Sequence, residues 1–308
     1  MPWTTSDIPP LHGRRAVVTG ANSGLGLAVA RALAEHGAGV VLACRNLGKG
    51  EAALTELREA LPDADLELAP LDLGDSGSIA AFADGYARSH PDGLDLLINN
   101  AGVMAPPPGV TLDGFEVQLG TNHLGHFALT GRLLGALLAR RAPRVVTVSS
   151  VAHRMGRHEF GDVSQSSGRR RWKAYGRSKL ANLSFALELD RRARAAGTDL
   201  VSVAAHPGYA ATNLQSAGPR LHEALAMRLL NPFIAQSAGM GALPLLFAAT
   251  MDDLPGGTYI GPDGRSEMRG HPRPVSPSAL AEDVAAARHL WELSERLTGV
   301  SFRALAPA

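Results

Sequence analysis

The stretch Thr19-Gly20-Ala21-Asn22-Ser23-Gly24-Leu25-Gly26 constrains the fold of this chain more tightly than any other. It follows a short apolar run, Ala16-Val17-Val18, and leads into residues 24–36, where apolar side chains fall at helical spacing. The glycines therefore sit in a strand-to-helix turn. Gly20 permits the tight turn, Gly24 lets backbone approach a pyrophosphate, and Gly26 lets the helix pack closely. The helix N-terminus offers unpaired N–H groups and the positive end of its dipole to a phosphate. A turn with no ligand is the alternative, but this one opens the first unit of a repeating pattern.

The same alternation continues along the chain. Strands are predicted near 40–43, 66–71, 94–98, 144–149 and 200–205, separated by helices near 50–61, 78–89, 112–140 and 174–196. Short connections between strand and helix imply parallel strands joined by right-handed crossovers, with helices on both faces. The expected fold is α/β, a doubly wound parallel sheet of the Rossmann type. It is expected as a single domain over 1–308, with a core at about 14–260, an insert at 152–173, and a variable region and tail at 213–308. The tail near 279–297 reads as helical, without a legible role.

Composition excludes several partners. Lys plus Arg number 30 against 29 Asp plus Glu, so no global field draws the chain to nucleic acid or anionic lipid. The triplet Arg169-Arg170-Arg171 with Lys173 reads as a solvated loop. The single Cys44 leaves no internal disulfide, residues 1–10 lack a secretory pattern, and a cytoplasmic location is expected. Residues 229–251 carry no charge, yet Asn231, Pro232, Gln236, Gly239, Gly241 and Pro244 interrupt them. The reading there is a loop and a short buried helix that helps wall an apolar substrate, with no membrane span. No His or Cys cluster suggests a metal.

Tyr175 stands four residues ahead of Lys179, so at helical pitch the two side chains share a face. An ammonium beside a phenol favours the phenolate and draws its pKa toward the range of efficient proton transfer. Lysine occurs only at 49, 173 and 179, so a lysine at this spacing stands out in a chain that otherwise uses arginine. A surface tyrosine beside a solvated lysine remains the plain alternative.

Together with the glycine turn, the chain carries Asn99-Asn100-Ala101-Gly102, Asn122, Ser149-Ser150, Tyr175 and Lys179, and Pro207-Gly208, in this order. In these motifs it resembles the short-chain dehydrogenase/reductase family over roughly 15–212. Ser150-Val151-Ala152-His153, the long gap before Tyr175, and Tyr175-Gly176-Arg177-Ser178-Lys179 are most similar to the retinol-dehydrogenase-like branch.

The resemblance implies roles. Tyr175 would supply the proton, Ser150 would hold the carbonyl oxygen, and Lys179 would lower the phenol pKa and bind the nicotinamide ribose. Asn122 would mark a helix kink holding a relay water. The cofactor would lie along Gly20, Asn22, Ser23, Gly24, Leu25 and Gly26, with Asp72 and Leu73 at the adenine. Asn100, Ala101 and Gly102 would line the cleft, with Pro207, Gly208 and Thr212 near the nicotinamide. No acid ends the second strand, where Arg45 stands instead, so NADP(H) is expected over NAD(H). Ser149, Cys44 and His206 read as structural, and His123 and His126 as packing or surface residues. The helix near 124–138 resembles a dimer-forming helix, so a homodimer is one expectation, which the insert could mask.

The leading function is NADP(H)-dependent hydride transfer between nicotinamide and the carbonyl or alcohol carbon of an apolar small molecule. A catalytically silent nucleotide sensor or scaffold on the same fold is the alternative. A sugar-nucleotide epimerase shares Tyr and Lys but brings a larger carboxy-terminal part.

Overall fold

A computed structural model describes residues 2–160, 163–164, 168–209 and 236–306. Short, mostly apolar runs build the central strands. The strands are β1 (Arg15–Thr19), β2 (Gly39–Cys44), β3 (Leu66–Pro70), β4 (Leu96–Asn99), β5 (Arg144–Val148), β6 (Val201–Ala205), β7 (Tyr259–Pro262) and β8 (Pro272–Pro274). They form one eight-stranded sheet in the order β3-β2-β1-β4-β5-β6-β7-β8. All neighbours are parallel except the last pair, where β8 runs antiparallel along β7. The doubly wound fold is thus as expected, with an antiparallel edge strand that the Pro272-Arg273-Pro274 sequence did not announce.

The strand period of two splits the core between the faces. Ala16, Val18, Val40, Leu42, Leu96 and Ile98 pack on one side, with α1 (Gly24–Glu35), α2 (Leu47–Ala60) and α8 (Ala238–Thr250). Val17, Val41, Leu97 and Val145 pack on the other. That side is covered by α3 (Ser76–Ser89), α5 (Gly125–Arg132) and α7 (Arg171–Ala195). Sheets covered on both faces read as continuous apolar runs, which is why β2, β4 and β5 are buried throughout.

Two sequence expectations change, at the 112–140 helix and at Arg171. The helix predicted over 112–140 does not begin until α4 (Val117–Leu119), because Val110 and Glu116 pair as an isolated bridge. It then passes through a π-turn at Gly120–Leu124 and α5, and breaks at Leu133 before α6 (Leu134–Leu138). Arg171 is not solvated: it is buried, and its guanidinium donates to the Ala105 carbonyl at 2.6 Å. In the 229–251 run, residues 229–235 lie outside the described residues. The apolar part of α8 packs into the core against α1, where Ala242, Leu245 and Leu246 are buried. Among the described residues, no helix is long and apolar enough to cross a membrane.

The tail is helical, as expected, and its packing gives it a role. A short turn, α9 (Ala279–Glu282), leads to α10 (Val284–Thr298). α10 lays Trp291 against Phe127 of α5 (5.1 Å between ring centroids) and Phe185 of α7 (5.8 Å), and Phe302 completes the cluster at 4.5 Å from Trp291. Arg192 stacks its guanidinium over the same indole at 4.4 Å. The α5 and α7 faces in that cluster therefore have a partner within the chain. The 152–173 insert likewise folds inward, since Phe160 and Val163 pack with Leu119, Leu124 and Leu290.

Candidate active site

The order of the sheet reverses between β1 and β4, the switch point at which open α/β sheets bind ligands. A cavity of about 320 Å³ lies there, at the carboxyl ends of the strands. Its floor is the glycine turn: Gly20, Asn22, Ser23, Gly24, Leu25 and Gly26 all line it. Gly20 has φ +68° and Gly24 φ +57°, both in the region that glycine occupies without strain. A Cβ on Gly26 would lie 2.4 Å from the Gly20 carbonyl oxygen and 2.6 Å from Asn100 Nδ2, so only glycine allows α1 this close. Ser23, at the N-cap of α1, makes no side-chain capping bond, which leaves the helix N–H groups facing the cavity.

The remaining walls come from the ends of β2, β3 and β4. Arg45, Asp72, Leu73, Asn100, Ala101 and Gly102 all line the cavity. Thr19 holds the β4 end in place: its Oγ1 accepts the N–H groups of Asn100 and Ala101, each at 2.9 Å. Asn100 Nδ2 donates to the Thr19 carbonyl at 2.8 Å. Lys49 also lines the cavity, one turn into α2, and sequence reasoning passed over it. The signal was available, because Lys49 is one of only three lysines in the chain. Arg45 and Lys49 are both exposed, and among the described residues the one carboxylate on the cavity wall is Asp72.

Beyond Gly102 stands the second half of the site. A Cβ on Gly102 would lie 3.0 Å from Asn122 Oδ1 and 3.6 Å from Lys179 Nζ, so the cavity end abuts both side chains. Asn122 sits in the π-turn, where the Gly125 N–H bonds the Gly120 carbonyl, and this turn is the kink the resemblance implied. Its buried side chain clamps two elements together. Oδ1 accepts from the Val103 N–H at 2.8 Å, while Nδ2 donates to the Val103 carbonyl at 3.0 Å and to Ser178 Oγ at 2.9 Å. Ser178 Oγ in turn donates to the Tyr175 carbonyl at 2.8 Å.

Tyr175 and Lys179 share one face of α7 and are buried. Nζ lies 5.9 Å from the phenol ring centroid and donates to the Val148 carbonyl at 3.0 Å. Ser150, extended at the end of β5, accepts the Ala152 N–H on its Oγ at 3.2 Å and caps a 3₁₀ turn, Val151–Met155. Ser149 points the other way and donates to the Lys179 carbonyl at 2.8 Å, the structural role expected of it. Trp172 meets Tyr175 edge-on at 6.4 Å, so the end of the insert borders the phenol.

The electrostatics differ from the sequence expectation. Burial pushes the Tyr175 phenol up to about 12, and the neighbouring Ser150 hydroxyl pulls in the opposite direction by hydrogen bonding. Burial also lowers Lys179 to about 8. The Lys179 ammonium donates to the Val148 carbonyl with Nζ 5.9 Å from the phenol ring centroid, and desolvation of the phenolate is the largest influence on the Tyr175 hydroxyl.

Pro207 and Gly208 follow β6 but do not line the cavity. Gly208 has φ +63°, and a Cβ there would lie 2.4 Å from the Met268 carbonyl oxygen. His206 is buried and pairs through Nε2 with Glu267 at 3.0 Å, while its Nδ1 accepts the Gly208 N–H at 3.2 Å. Thr212 lies outside the described residues. Cys44 is buried at its strand end, and burial raises its thiol to about 11, an unreactive state. His123 and His126 are buried, not surface residues.

The family model for short chain dehydrogenase matches residues 14–220. Human retinol dehydrogenase 12 is 41% identical over 292 residues, covering 94% of this chain and 88% of that protein. A crystal structure of an uncharacterized protein from Mycobacterium paratuberculosis shares 45% identity with a TM-score of 0.81, covering 98% of this chain and 99% of that one. A crystal structure from Beutenbergia cavernae, described as a putative NAD(P)-dependent gluconate 5-dehydrogenase with NADP bound at low occupancy, shares 27% identity and a TM-score of 0.61, covering 78% of this chain and 90% of that one.

Proposed function

Because the chain belongs to the short-chain dehydrogenase/reductase family, in its retinol-dehydrogenase-like branch, we propose that it reduces an apolar carbonyl compound with NADPH and that Tyr175 delivers the proton. As a family member it is an NAD(P)-dependent dehydrogenase/reductase of a small molecule. One observation carries the finer reading: Asn122 and Lys179 touch the end of the glycine-lined cavity, and Tyr175 and Ser150 stand beside them.

The cavity residues fit a dinucleotide. Gly20, Gly24 and Gly26 would admit the pyrophosphate to the N-terminus of α1. Arg45 and Lys49, one at the end of β2 and the other in the first turn of α2, would neutralise a 2′-phosphate, and no acid stands there to accept a bare ribose hydroxyl. NADP bound to a relative 27% identical points the same way. When bound, the cofactor supplies the hydride.

The chain's own residues handle the oxygen and the proton. As hydride reaches the carbonyl carbon, negative charge grows on the carbonyl oxygen, and Ser150 Oγ–H donates to it. Tyr175 donates the proton. A phenol that burial raises to about 12 is protonated at neutral pH and so carries the proton it would donate. Lys179 Nζ, beside Gly102, would hold the ribose hydroxyls, and Asn122 would fix the relay behind it. The complete Ser150, Tyr175 and Lys179 set speaks against a silent nucleotide sensor.

The test is oxidation of NADPH and of NADH by the purified protein with aldehydes, ketosteroids, quinones and retinoids. The expected result is turnover of an apolar carbonyl at a rate at least about tenfold higher with NADPH, the factor that one charge-assisted contact supplies. Turnover of none of them with either cofactor would overturn the reading.

A further inference from the structure

His126 connects the two halves of the site. It lies on α5, one residue beyond Gly125, where a Cβ would stand 2.2 Å from the Leu73 carbonyl oxygen, so the start of α5 is pressed against the cavity wall. The imidazole is buried and uses both nitrogens. Nδ1 lies 2.9 Å from the Asn122 carbonyl oxygen, and Nε2 lies 2.9 Å from Thr19 Oγ1.

A carbonyl only accepts, so Nδ1 carries the hydrogen and Nε2 is the acceptor. Thr19 Oγ1 already accepts the N–H groups of Asn100 and Ala101. Its own hydrogen has two acceptors in reach, His126 Nε2 at 2.9 Å and the Ile98 carbonyl at 3.3 Å, and the shorter contact together with the unprotonated Nε2 assigns it to His126. The polar bonds run from the amides of the cleft through Thr19 and His126 to the π-turn.

We propose that His126 is a positioning residue whose imidazole sets the Asn122 carbonyl, and with it the π-turn, relative to the Thr19-anchored end of β4. The inference rests on the catalytic reading given above for its effect on turnover, but not for the bonds themselves. The imidazole must stay neutral to serve, and its surroundings keep it so. Burial lowers its pKa to about 4, the Asn122 carbonyl opposes this, and the Lys179 ammonium adds to it. Thr130 strengthens the same frame by donating to the His126 carbonyl at 2.7 Å while accepting from Asn99 Nδ2 at 3.0 Å.

Loss of the ring should act on the catalytic half and spare cofactor binding. Without His126, the Thr19 hydroxyl can turn to the Ile98 carbonyl, 3.3 Å away, and go on accepting from Asn100 and Ala101. The Asn122 carbonyl has no such substitute from this side chain. In His126→Phe the expected kcat falls by about tenfold, the equivalent of one lost hydrogen bond, while the Kd for NADPH stays within about threefold. His126→Asn, whose amide can reach the place of Nδ1, should regain most of that kcat. A kcat unchanged in His126→Phe, or no recovery in His126→Asn, would overturn the proposal. ¹⁵N-histidine NMR of the unmodified protein decides the bonds independently of turnover and of variant folding. It should show His126 in the Nδ1–H form and not titrating from pH 5.5 to 8. Buried His153, with Nδ1 on the Ser150 carbonyl and Nε2 accepting the Ser278 N–H, shares that form, so the His126 signal is assigned by its loss in His126→Asn or by through-bond correlation. An Nε2–H form, or titration in that range, would refute the tether. If the wild-type protein turned over no carbonyl but showed that signal, the functional reading would fail and the tether would stand.

Discussion

Replacing Lys179 with methionine should stabilise the cofactor-free protein while removing its activity. Nζ is buried against the Val148 carbonyl, and burial brings its pKa from 10.5 to about 8. The sign follows from proton linkage. Between these values the unfolded chain binds more protons than the folded one, so the stability of the wild type rises with pH across that window. Below it the whole penalty is present, about 3 kcal/mol at about 1.4 kcal/mol per pKa unit. Methionine removes the charge at nearly constant shape. The lost hydrogen bond costs about 1 kcal/mol at most, since Val148 keeps the Asn182 Nδ2 donor at 3.0 Å. The net gain at pH 7 is about 2 kcal/mol, and it should vanish near about pH 10, where only about 1 kcal/mol of the penalty remains and is offset by the lost hydrogen bond. Urea unfolding at both pH values, followed by tryptophan fluorescence, measures it. A variant less stable than wild type at pH 7, or a difference independent of pH, would refute the claim that this ammonium is held at a cost.

Arg45→Ala and Lys49→Ala should each weaken NADPH binding by about tenfold, near the low end for a charge-assisted contact because both side chains are exposed, and leave NADH unchanged. Isothermal titration with both cofactors checks this, and an equal loss for NADH would reject the 2′-phosphate assignment. Trp291→Ala should cost about 3–5 kcal/mol in urea unfolding, because a buried indole shared by Phe127, Phe185 and Phe302 leaves a large cavity. A loss below about 1 kcal/mol would mean that α10 is not part of the core.

The sequence revealed most where local chemistry and position coincide. Ala16-Val17-Val18 and the glycine turn are legible because strand period, turn geometry and helix start fall within one stretch. Arg45 was legible because the end of β2 is a fixed address in such folds. The π-turn at Gly120–Leu124 was not, since its residues suit an ordinary helix and its extra residue per turn is set by the clamp between Val103 and Ser178. His126 was hidden for a related reason: its partner Thr19 lies 107 residues away. The Tyr175 and Lys179 spacing gave their shared helix face correctly but not their ionisation, because burial depends on everything packed around α7. The covering of α5 and α7 by α10 depended in the same way on contacts distant in sequence.

The central claim is that the Tyr175 hydroxyl delivers the proton beside a cofactor held by the glycine-lined cleft. Single-turnover oxidation of NADPH by Tyr175→Phe, saturated with a carbonyl that the wild type reduces, tests it most directly. The account expects NADPH to bind with a Kd within about twofold of wild type and hydride transfer to slow by about 10²–10⁴, the contribution of a positioned acid. Hydride transfer at the wild-type rate in that variant would contradict it.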